Sequence, residues 1–437
     1  MVGIKVDVEE VKKNLIFRKI RGNDGKEYVV GVYRVTGLDG TPYVFPLKAE
    51  RYENGELRWD FKSASRVLAE AQGVLLGNND EAWRSDLGEK LEYFGTIAMA
   101  EGFAGTEGYR IRFNESDLPY IEEAYERVRT IINRGGYPFF KTSIVPSFLN
   151  GVPPDLDKAI KSMSVEDVER LLRGHVERVM TYQPNKNAPK FKDLVDVWEI
   201  VGEVNPYYIQ RGWNRHPFIE KFAKPNDPDF GWKKFFEIVF RTAQQIDPDA
   251  LLIVSNYNNE YPNDLHPGGT QKQTLEIIRY LKSIGINNVG VGLHMHLNLY
   301  GDHVIPTPPQ FANVIRLYRS SGAEPIITEF DLNISTKPHV PAGRPDWWPS
   351  VAFNPNTRYA DQARIYYDLV KTYLEETRGQ ENRIISWWGR RDNHSWIELG
   401  HKVEDADPLL FDHNGKPKPA FFAVSSALYE SLLEKFD

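Results

Sequence analysis

The stretch that decides the fold reads Ile-Ile-Thr-Glu-Phe-Asp-Leu over residues 326–332. It is a short apolar run, typical of a buried strand, and it carries two acids towards its carboxyl end. Because side chains alternate between the faces of a strand, Glu329 and Asp331 point the same way. Two acids on one inward face suit an active site at the carboxyl end of a parallel β-barrel. A salt-bridged acid pair at a strand end is the alternative interpretation.

Around this stretch, short apolar segments alternate with amphipathic ones. Alternating strands and helices favour a parallel sheet, and eight such units favour a closed (β/α)8 TIM barrel of the α/β class. A doubly wound sheet is the competing architecture, but no glycine-rich phosphate loop follows the first strand. Strands are predicted at residues 74–77, 94–99, 138–144, 195–201, 251–255, 289–294, 326–330 and 384–388. Helices are predicted at residues 118–133, 165–181, 232–246, 271–283, 309–321 and 359–376.

The first 65 residues differ from the rest of the chain. Residues 28–35 are rich in β-branched and aromatic side chains, and they lead through a glycine-flanked turn into a second such run at residues 43–45. This pattern predicts a β-hairpin. We therefore expect a small β-rich extension at residues 1–65, packed on a catalytic barrel at residues 66–437.

The composition narrows the classes of function. Of the 437 residues, 41% are hydrophobic and 26% are charged, as in a globular protein with a large core. A net charge of −7 without a long basic run argues against a nucleic acid partner. No apolar run reaches the ~18 residues of a membrane span. The absence of cysteine excludes disulfides and thiol catalysis. We expect a monomer without a cofactor.

The amino terminus bears on localisation only weakly. The first residues of the chain lack the apolar core of a signal peptide. We therefore expect either a cytoplasmic protein or a secreted one whose signal has been removed.

A second acid lies at the end of another predicted strand. Residues 198–203 read Trp-Glu-Ile-Val-Gly-Glu, so Glu203 follows a glycine at the strand end. By the strand count, Glu203 and Glu329 end strands four and seven, which can face each other across a barrel mouth. Two carboxyl groups across a cleft can hydrolyse a glycoside, one as the proton donor and one as the nucleophile or base. The abundant aromatic residues agree, since flat rings suit amphipathic ligands such as sugars.

A metal site is the rival chemistry. His294 and His296 are two residues apart on a predicted strand, so they share a face, and nearby acids could complete a zinc or iron site. However, no histidine–carboxylate spacing with an established metal mechanism stands out. We therefore expect no metal.

Several motifs resemble glycoside hydrolase family 10, a family of retaining xylanases. In chain order, the similar segments are the acid/base strand, the sixth strand, the nucleophile strand, the eighth-strand motif and the closing segment of that family. They lie at residues 198–203, 289–297, 327–332, 388–396, and 408–412 with 416–424. The order and spacing agree from about residue 190 to residue 430. This resemblance implies a (β/α)8 barrel that hydrolyses a β-linked polysaccharide with retention, and xylan is the default substrate.

The resemblance also implies roles for individual residues. Glu329 corresponds to the nucleophile, Glu203 to the general acid/base, and His296 to a partner that hydrogen-bonds the nucleophile. Asp331 is then a supporting acid. The two glutamate carboxyl groups should lie ~5–5.5 Å apart, as retention requires.

Other residues correspond to the walls of the cleft. The match implies that Trp388 and Trp396 stack on the sugar or wall it at the cleavage point. Tyr257 and Asn258 then lie on the leaving-group side. We expect these side chains and the two glutamates to open into a cleft at the carboxyl end of the barrel.

The chain departs from the family pattern in its sugar-binding segments. Gly202 stands where the family has asparagine, and Lys141 with Thr142 replaces a Trp-His pair. His294 stands where glutamine is usual, and residues 98–103 do not reproduce a Glu-Asn-x-x-Lys set. Glycine cannot hydrogen-bond the sugar 2-hydroxyl as an amide can. The alternative function is therefore a carbohydrate-binding barrel whose catalysis has lapsed or is weak.

Three basic residues allow two interpretations. Lys141, Arg390 and Arg391 could carry ordinary surface charge, since lysine and arginine are mostly exposed. Alternatively they could grip a substrate that carries a carboxylate, such as a uronate-decorated chain.

Overall fold

The computed structural model describes most of the chain. The described residues are 15–21, 26–37, 40–53, 56–59, 63–79, 91–98, 112–141, 144, 154–203, 217–224, 231–262, 270–299, 305–335, 357–403 and 405–434. Some predictions fall outside them: the end of the strand at 94–99, the segment 99–103, Thr142, and residues 145–148.

The amino-terminal region forms a four-stranded antiparallel sheet. The predicted hairpin is confirmed, with Tyr33 paired to Phe45 and Val35 paired to Tyr43. Inward side chains of its second strand, including Val30 and Val32, are buried. The strands pair in chain order: β1 Leu15–Arg21, β2 Glu27–Thr36, β3 Pro42–Glu53 and β4 Glu56–Trp59.

Eight parallel strands form the second sheet, in chain order and closed on itself. Closure runs through residue Phe140, whose N–H donates to the Val197 carbonyl at 3.0 Å and whose carbonyl accepts from the Glu199 N–H at 2.8 Å. The prediction of a (β/α)8 barrel is confirmed. The strands are β5 Val74–Asn79, β6 Thr96–Ala98, β7 Tyr137–Phe139, β8 Val197–Gly202, β9 Leu251–Tyr257, β10 Val289–Asn298, β11 Ala323–Asn333 and β12 Arg383–Trp387.

The helices follow the strands as the periodicity predicts. The six predicted helices are observed with ends that differ by at most one residue. In chain order the described helices are α1 Ala64–Glu70, α2 Leu118–Asn133, α3 Pro154–Ser162, α4 Val165–Met180, α5 Pro217–Phe222, α6 Trp232–Ile246, α7 Thr270–Ser283, α8 Pro308–Ser320, α9 Arg358–Glu376, α10 Trp396–His401 and α11 Pro419–Leu433.

Helix α11 was not predicted, and its burial explains why. Most of its residues are buried, so it lacks the polar stripe that marks a surface helix. The ring of Phe422 lies 4.3 Å from the ring of Phe45 on β3, and Glu430 pairs with Arg34 on β2 at 2.9 Å. The amino-terminal sheet therefore packs on the carboxyl-terminal helix. The domain boundary at residue 65 stays a prediction.

A small apolar cluster fills the barrel interior below the strand ends. It is separate from the larger cluster between strands and helices, and it joins side chains from seven positions on six strands: Leu75, Phe139, Val197, Leu251, Ile253, Ile326 and Ile384. Gly292 lies higher in the barrel, and a Cβ there would come 2.5 Å from the Ser255 Cβ. The glycine therefore permits a close approach beneath the site. In the described part of the chain, no helix is long and apolar enough to cross a membrane.

Candidate active site

The ends of β8 and β9 leave the barrel through strained backbone. Glu203 and Asn258 have φ angles of 53° and 55°, in the left-handed region that non-glycine residues rarely adopt. The Glu203 N–H still donates to the Ser255 carbonyl at 2.9 Å. Such residues persist where surrounding structure holds them, and they cluster at active sites. Both strands therefore end in strained backbone at the carboxyl end of the barrel, where the sequence predicts the site.

The ladder between β10 and β11 sets two histidines beside two acids. His294 lies opposite Glu329, and His296 lies opposite Asp331. The register shifts between Leu293 and His294, and such irregularities re-aim side chains next to active sites. Strand pairing thus brings together four residues that the sequence placed on two separate strands.

His296 joins Glu329 to Asp331. Its Nε2 lies 2.8 Å from Glu329 Oε2 and its Nδ1 lies 2.8 Å from Asp331 Oδ2. Trp396 Nε1 donates to the same Asp331 oxygen at 2.8 Å. Burial alone would lower the pKa of His296, but Asp331 and then Glu329 raise it well above its ordinary value. The imidazole is therefore a cation that donates to both acids.

Lys141 holds the other oxygen of Glu329. Its Nζ lies 2.5 Å from Glu329 Oε1 and 3.2 Å from Glu199 Oε2, and 5.1 Å from the centre of the Trp388 ring. The residue is only 5% exposed. Burial alone would lower the pKa of Lys141, but Glu199 and Glu329 raise it above its ordinary value. The interpretation of Lys141 as surface charge is wrong, because it is a buried cation between two carboxylates.

Arg390 is also buried, at 4% exposure, so the surface interpretation is wrong for it as well. It lies next to Gly415 of the closing segment. Arg391 is half-buried and donates from Nε to His394 Nε2 at 3.0 Å. The ammonium of Lys141 is engaged by two glutamates, which argues against its use as a grip for an acidic substrate.

These contacts ionise Glu329. Burial raises the pKa of its carboxyl group, but His294, Lys141 and His296 outweigh burial and hold the pKa far below its ordinary range. Both carboxylate oxygens have a cationic partner. A buried carboxyl group held in this way is charged at any ordinary pH.

Glu203 and His294 complete the cluster. His294 Nδ1 lies 3.2 Å from Glu203 Oε1, while its Nε2 lies 3.3 Å from Glu329 Oε1. One carboxylate oxygen of Glu203 and one of Glu329 are within 4.8 Å of each other. Inverting glycosidases keep their carboxyl groups ~6.5–9.5 Å apart to hold a water between them. The separation here suits direct attack by one carboxylate, and thus retention.

The remaining predicted wall residues lie around this cluster. Trp388 and Trp396 are half-buried, and the Trp396 ring centre lies 5.0 Å from that of His296. Tyr257 pairs with His294 in the β9–β10 ladder, and Asn258 follows it; both are half-buried. Trp396 therefore contacts Asp331, Trp388 lies beside Lys141, and Tyr257 and Asn258 lie at the strand end next to His294. Their roles towards a sugar stay predictions.

Sequence reasoning missed Glu199. This acid is 1% exposed and pairs with Lys141 from the adjoining strand end. The sequence offered a signal, since Glu199 is a second acid in the apolar segment that leads to Glu203. The partner lysine is remote in sequence, so only the fold shows that Glu199 balances a buried charge.

Within the described ranges of the chain, two groups of residues have the spacing of a metal site. Glu203, His294 and Glu329 present ligand atoms within 4.8 Å of one another. A divalent cation there would adjoin the Lys141 ammonium, which already contacts Glu329. His296 uses both ring nitrogens on carboxylates, so it has no lone pair to offer. Electrostatic repulsion and hydrogen bonding therefore oppose the metal interpretation.

The second group is Glu398, Asp407 and His413. Asp407 already accepts from the Tyr359 hydroxyl at 2.5 Å and lies 3.4 Å from the Arg358 guanidinium. The arginine supplies the positive charge that a metal would bring. Ion pairs and hydrogen bonds within the protein therefore explain why these three side chains lie close together.

A closed barrel with two adjacent carboxyl groups at its carboxyl end, one of them held ionised, defines a glycoside hydrolase of the retaining type. Comparison with known proteins narrows the class. Residues 155–427 match the model of glycosyl hydrolase family 10. The chain belongs to this family and is a xylanase-like glycoside hydrolase.

Individual relatives agree with this assignment. Endo-1,4-beta-xylanase A of Caldicellulosiruptor saccharolyticus is 26% identical over 320 residues, which cover 72% of this chain and 80% of the relative. Endo-1,4-beta-xylanase B of Thermotoga neapolitana is 25% identical over 380 residues, covering 85% and 93%. The crystal structure of xylanase 10B from Thermotoga maritima superposes with a TM-score of 0.60 at 20% identity, covering 84% of this chain and 99% of that one. This last likeness concerns the fold.

Proposed function

We propose that the protein hydrolyses β-1,4-linked xylan or its oligosaccharides by double displacement, with Glu329 as nucleophile and Glu203 as general acid/base. The observation that carries the assignment is the short distance between the two carboxyl groups, within 4.8 Å at their ligand oxygens. Xylan is supported by the relatives named above as endo-1,4-beta-xylanases. It is also supported by a fold neighbour from Thermotoga petrophila, a xylanase 10B in complex with xylobiose.

The first step forms a covalent intermediate. A carboxylate oxygen of Glu329 attacks the anomeric carbon as the glycosidic C–O bond breaks, and the leaving oxygen takes a proton from Glu203. Glu329 becomes a neutral ester while Glu203 becomes a carboxylate. The negative charge thus moves a few ångströms across the cluster, and the site's net charge is unchanged.

The second step releases the sugar. Glu203, now a carboxylate, takes a proton from water, whose oxygen attacks the anomeric carbon and displaces Glu329. Lys141 and His296 stabilise the carboxylate that departs, because both are cations in contact with its oxygens. The site returns to its starting protonation.

A hydrolysis screen tests this proposal. Xylan, β-glucan, mannan and aryl β-glycosides are offered to the enzyme, and proton NMR follows the anomeric configuration of the first product. We expect hydrolysis of xylan and xylo-oligosaccharides with the β-anomer formed first. First formation of the α-anomer would contradict the mechanism, and binding of xylan without any hydrolysis would favour a lapsed catalytic site.

The role of Glu203 has its own test. In Glu203→Ala, aryl β-xylosides with good leaving groups should still form the ester, and added azide should then attack it to give a β-glycosyl azide. The azide fills the space of the missing base and needs no deprotonation. Failure of azide to change rate or product would show that Glu203 is not the acid/base.

A further inference from the structure

His294 faces carboxylates through both ring nitrogens, and this determines its tautomer. Its Nε2 lies 3.3 Å from Glu329 Oε1 and 3.9 Å from Glu199 Oε2, and the residue is 1% exposed. Nε2 has no well-aligned hydrogen bond to either oxygen, but the negative charge of the two carboxylates at these distances favours a proton on this nitrogen over a bare lone pair. The Nε2 atom therefore carries a proton in either charge state of the ring.

The other ring nitrogen of His294, Nδ1, lies next to Glu203. Nδ1 lies 3.2 Å from Glu203 Oε1, at hydrogen-bonding distance. With Nε2 already protonated, this hydrogen bond needs one proton between the two atoms. Either a neutral Glu203 donates to a neutral imidazole, or an imidazolium donates to the Glu203 carboxylate. Both arrangements hold the same number of protons.

We propose that the catalytic proton of the general acid is held jointly by Glu203 and His294, with His294 as its store. The inference rests on the proposed role of Glu203. His294 does not need to touch the sugar, so it is a positioning residue. Its action is to keep one proton on the pair over a wider pH range than a carboxyl group alone can.

The charges around His294 favour a proton on its imidazole ring. Burial alone would lower the pKa of the imidazole, but Glu329 raises it, Lys141 opposes that effect, and the two acids of β8 add to it; the net pKa is raised. The charged and titratable groups that face it are Glu199 on β8, Glu203 just after β8, Lys141 after β7, Glu260 after β9, His296 on its own strand and Glu329 on β11. Burial raises the pKa of Glu260 to about 8, so the charged neighbours at neutral pH, besides Glu203, are the carboxylates of Glu199 and Glu329 and the cations Lys141 and His296.

A proton held by His294 is consistent with the number of protons that each step of the reaction takes up and releases. When the proton lies on Nδ1, it transfers to Glu203 and then to the leaving oxygen, so His294 is neutral in the covalent intermediate. The proton that water gives up in the second step restores the pair. No proton is gained or lost by the cluster in a full cycle.

The pair should titrate as a unit. Two groups that share one proton lose it in a single macroscopic step, which lies at higher pH than the step of the carboxyl group alone. Activity that depends on this proton should therefore persist further into the alkaline range. The alkaline limb of the profile of kcat/KM against pH reports this step.

The test replaces His294 by glutamine, which can hydrogen-bond both neighbours but cannot store a proton. In His294→Gln we expect the alkaline limb of kcat/KM to move to lower pH by about one unit or more, a loss of roughly tenfold at a given alkaline pH. His413→Gln is the matched control, because it removes an imidazole that pairs with a carboxylate, Glu398, outside the active site. Its alkaline limb should stay in place. An unmoved alkaline limb in His294→Gln overturns the proposal.

A spectroscopic measurement separates this inference from the proposed catalytic roles. NMR of the imidazole nitrogens follows the titration of His294 in wild type and in Glu203→Gln. With a neutral amide as neighbour, the ring should lose its proton at lower pH than in wild type. An identical titration in the two proteins overturns the shared proton, whereas retained activity of Glu203→Gln would instead refute Glu203 as the acid.

Discussion

The two oxygens of Glu329 are held by different kinds of partner. Oε2 receives His296, which is backed by Asp331 and Trp396 in a chain of 2.8 Å hydrogen bonds. Oε1 contacts the Lys141 ammonium, which also contacts a second carboxylate, that of Glu199. The first side lies within motifs that resemble the family, whereas Lys141 on the second side is where the chain departs from the family pattern.

The difference shows what an ionised, buried Glu329 requires of its surroundings. Both sides bring positive charge to a buried carboxylate, and that charge keeps its pKa low. Electrostatics does not prescribe which residue supplies the charge. The residues on the Lys141 side can therefore differ from the family pattern while Glu329 stays ionised.

The largest effect should come from Glu329→Gln, which removes the carboxylate that Lys141 and His296 both contact. We expect kcat to fall by about 10⁴-fold or more, because an amide cannot form the ester intermediate. The rate on an aryl β-xyloside measures this. Glu324→Gln, on the same strand at its amino end, is the control and should keep nearly full activity. Comparable losses in the two variants would mean that folding, not chemistry, is affected.

Next in size is Lys141→Met, which tests the charged side. It leaves Glu199 and Glu329 as two buried carboxylates without their shared cation, a change that typically costs ~3–5 kcal/mol of unfolding free energy. Urea denaturation at pH 7 measures it. The same substitution at Lys161, in an exposed pair with Asp157, should cost at most ~1 kcal/mol. Equal costs would show that Lys141 is not an essential counter-ion.

The pH dependence of the same variant gives a second prediction. Lys141 lowers the pKa of Glu329, so its loss should raise that pKa and move the acidic limb of kcat/KM to higher pH. The depressed pKa stabilises the wild type above the ordinary carboxyl pKa of 4.5, and this contribution fades as pH falls below it. The stability gap between wild type and variant should therefore narrow at acidic pH. A gap that widens there would contradict the pairing.

The smallest effect is expected from Trp396→Phe on the hydrogen-bonded side. The ring remains to pack on His296, but Asp331 loses one N–H donor, and hydrogen bonds to charged groups contribute ~1.5–3 kcal/mol. Thermal unfolding and kcat measure the change. A cost above that of Lys141→Met would reverse the ranking of the two sides.

Much of the barrel was predictable because its pattern is local. Strand and helix periods recur within a few residues, and the six amphipathic helices were located to within one residue. Helix α11 escaped, since a helix buried nearly all round loses its periodic signal. The acids Glu203 and Glu329 were predictable because polar residues at the ends of apolar strands are costly unless they are used.

The sequence by itself determined the eight-stranded order, the two strand-end glutamates and the family motifs. Each of these features is a pattern of residues that lie close together in the chain. Only the tertiary structure decided that Lys141 is a buried counter-ion, that Glu199 balances it, and that His294 faces both glutamates. These contacts join strands far apart in the chain. Their energies depend on burial and on distances of a few ångströms, which local sequence does not encode.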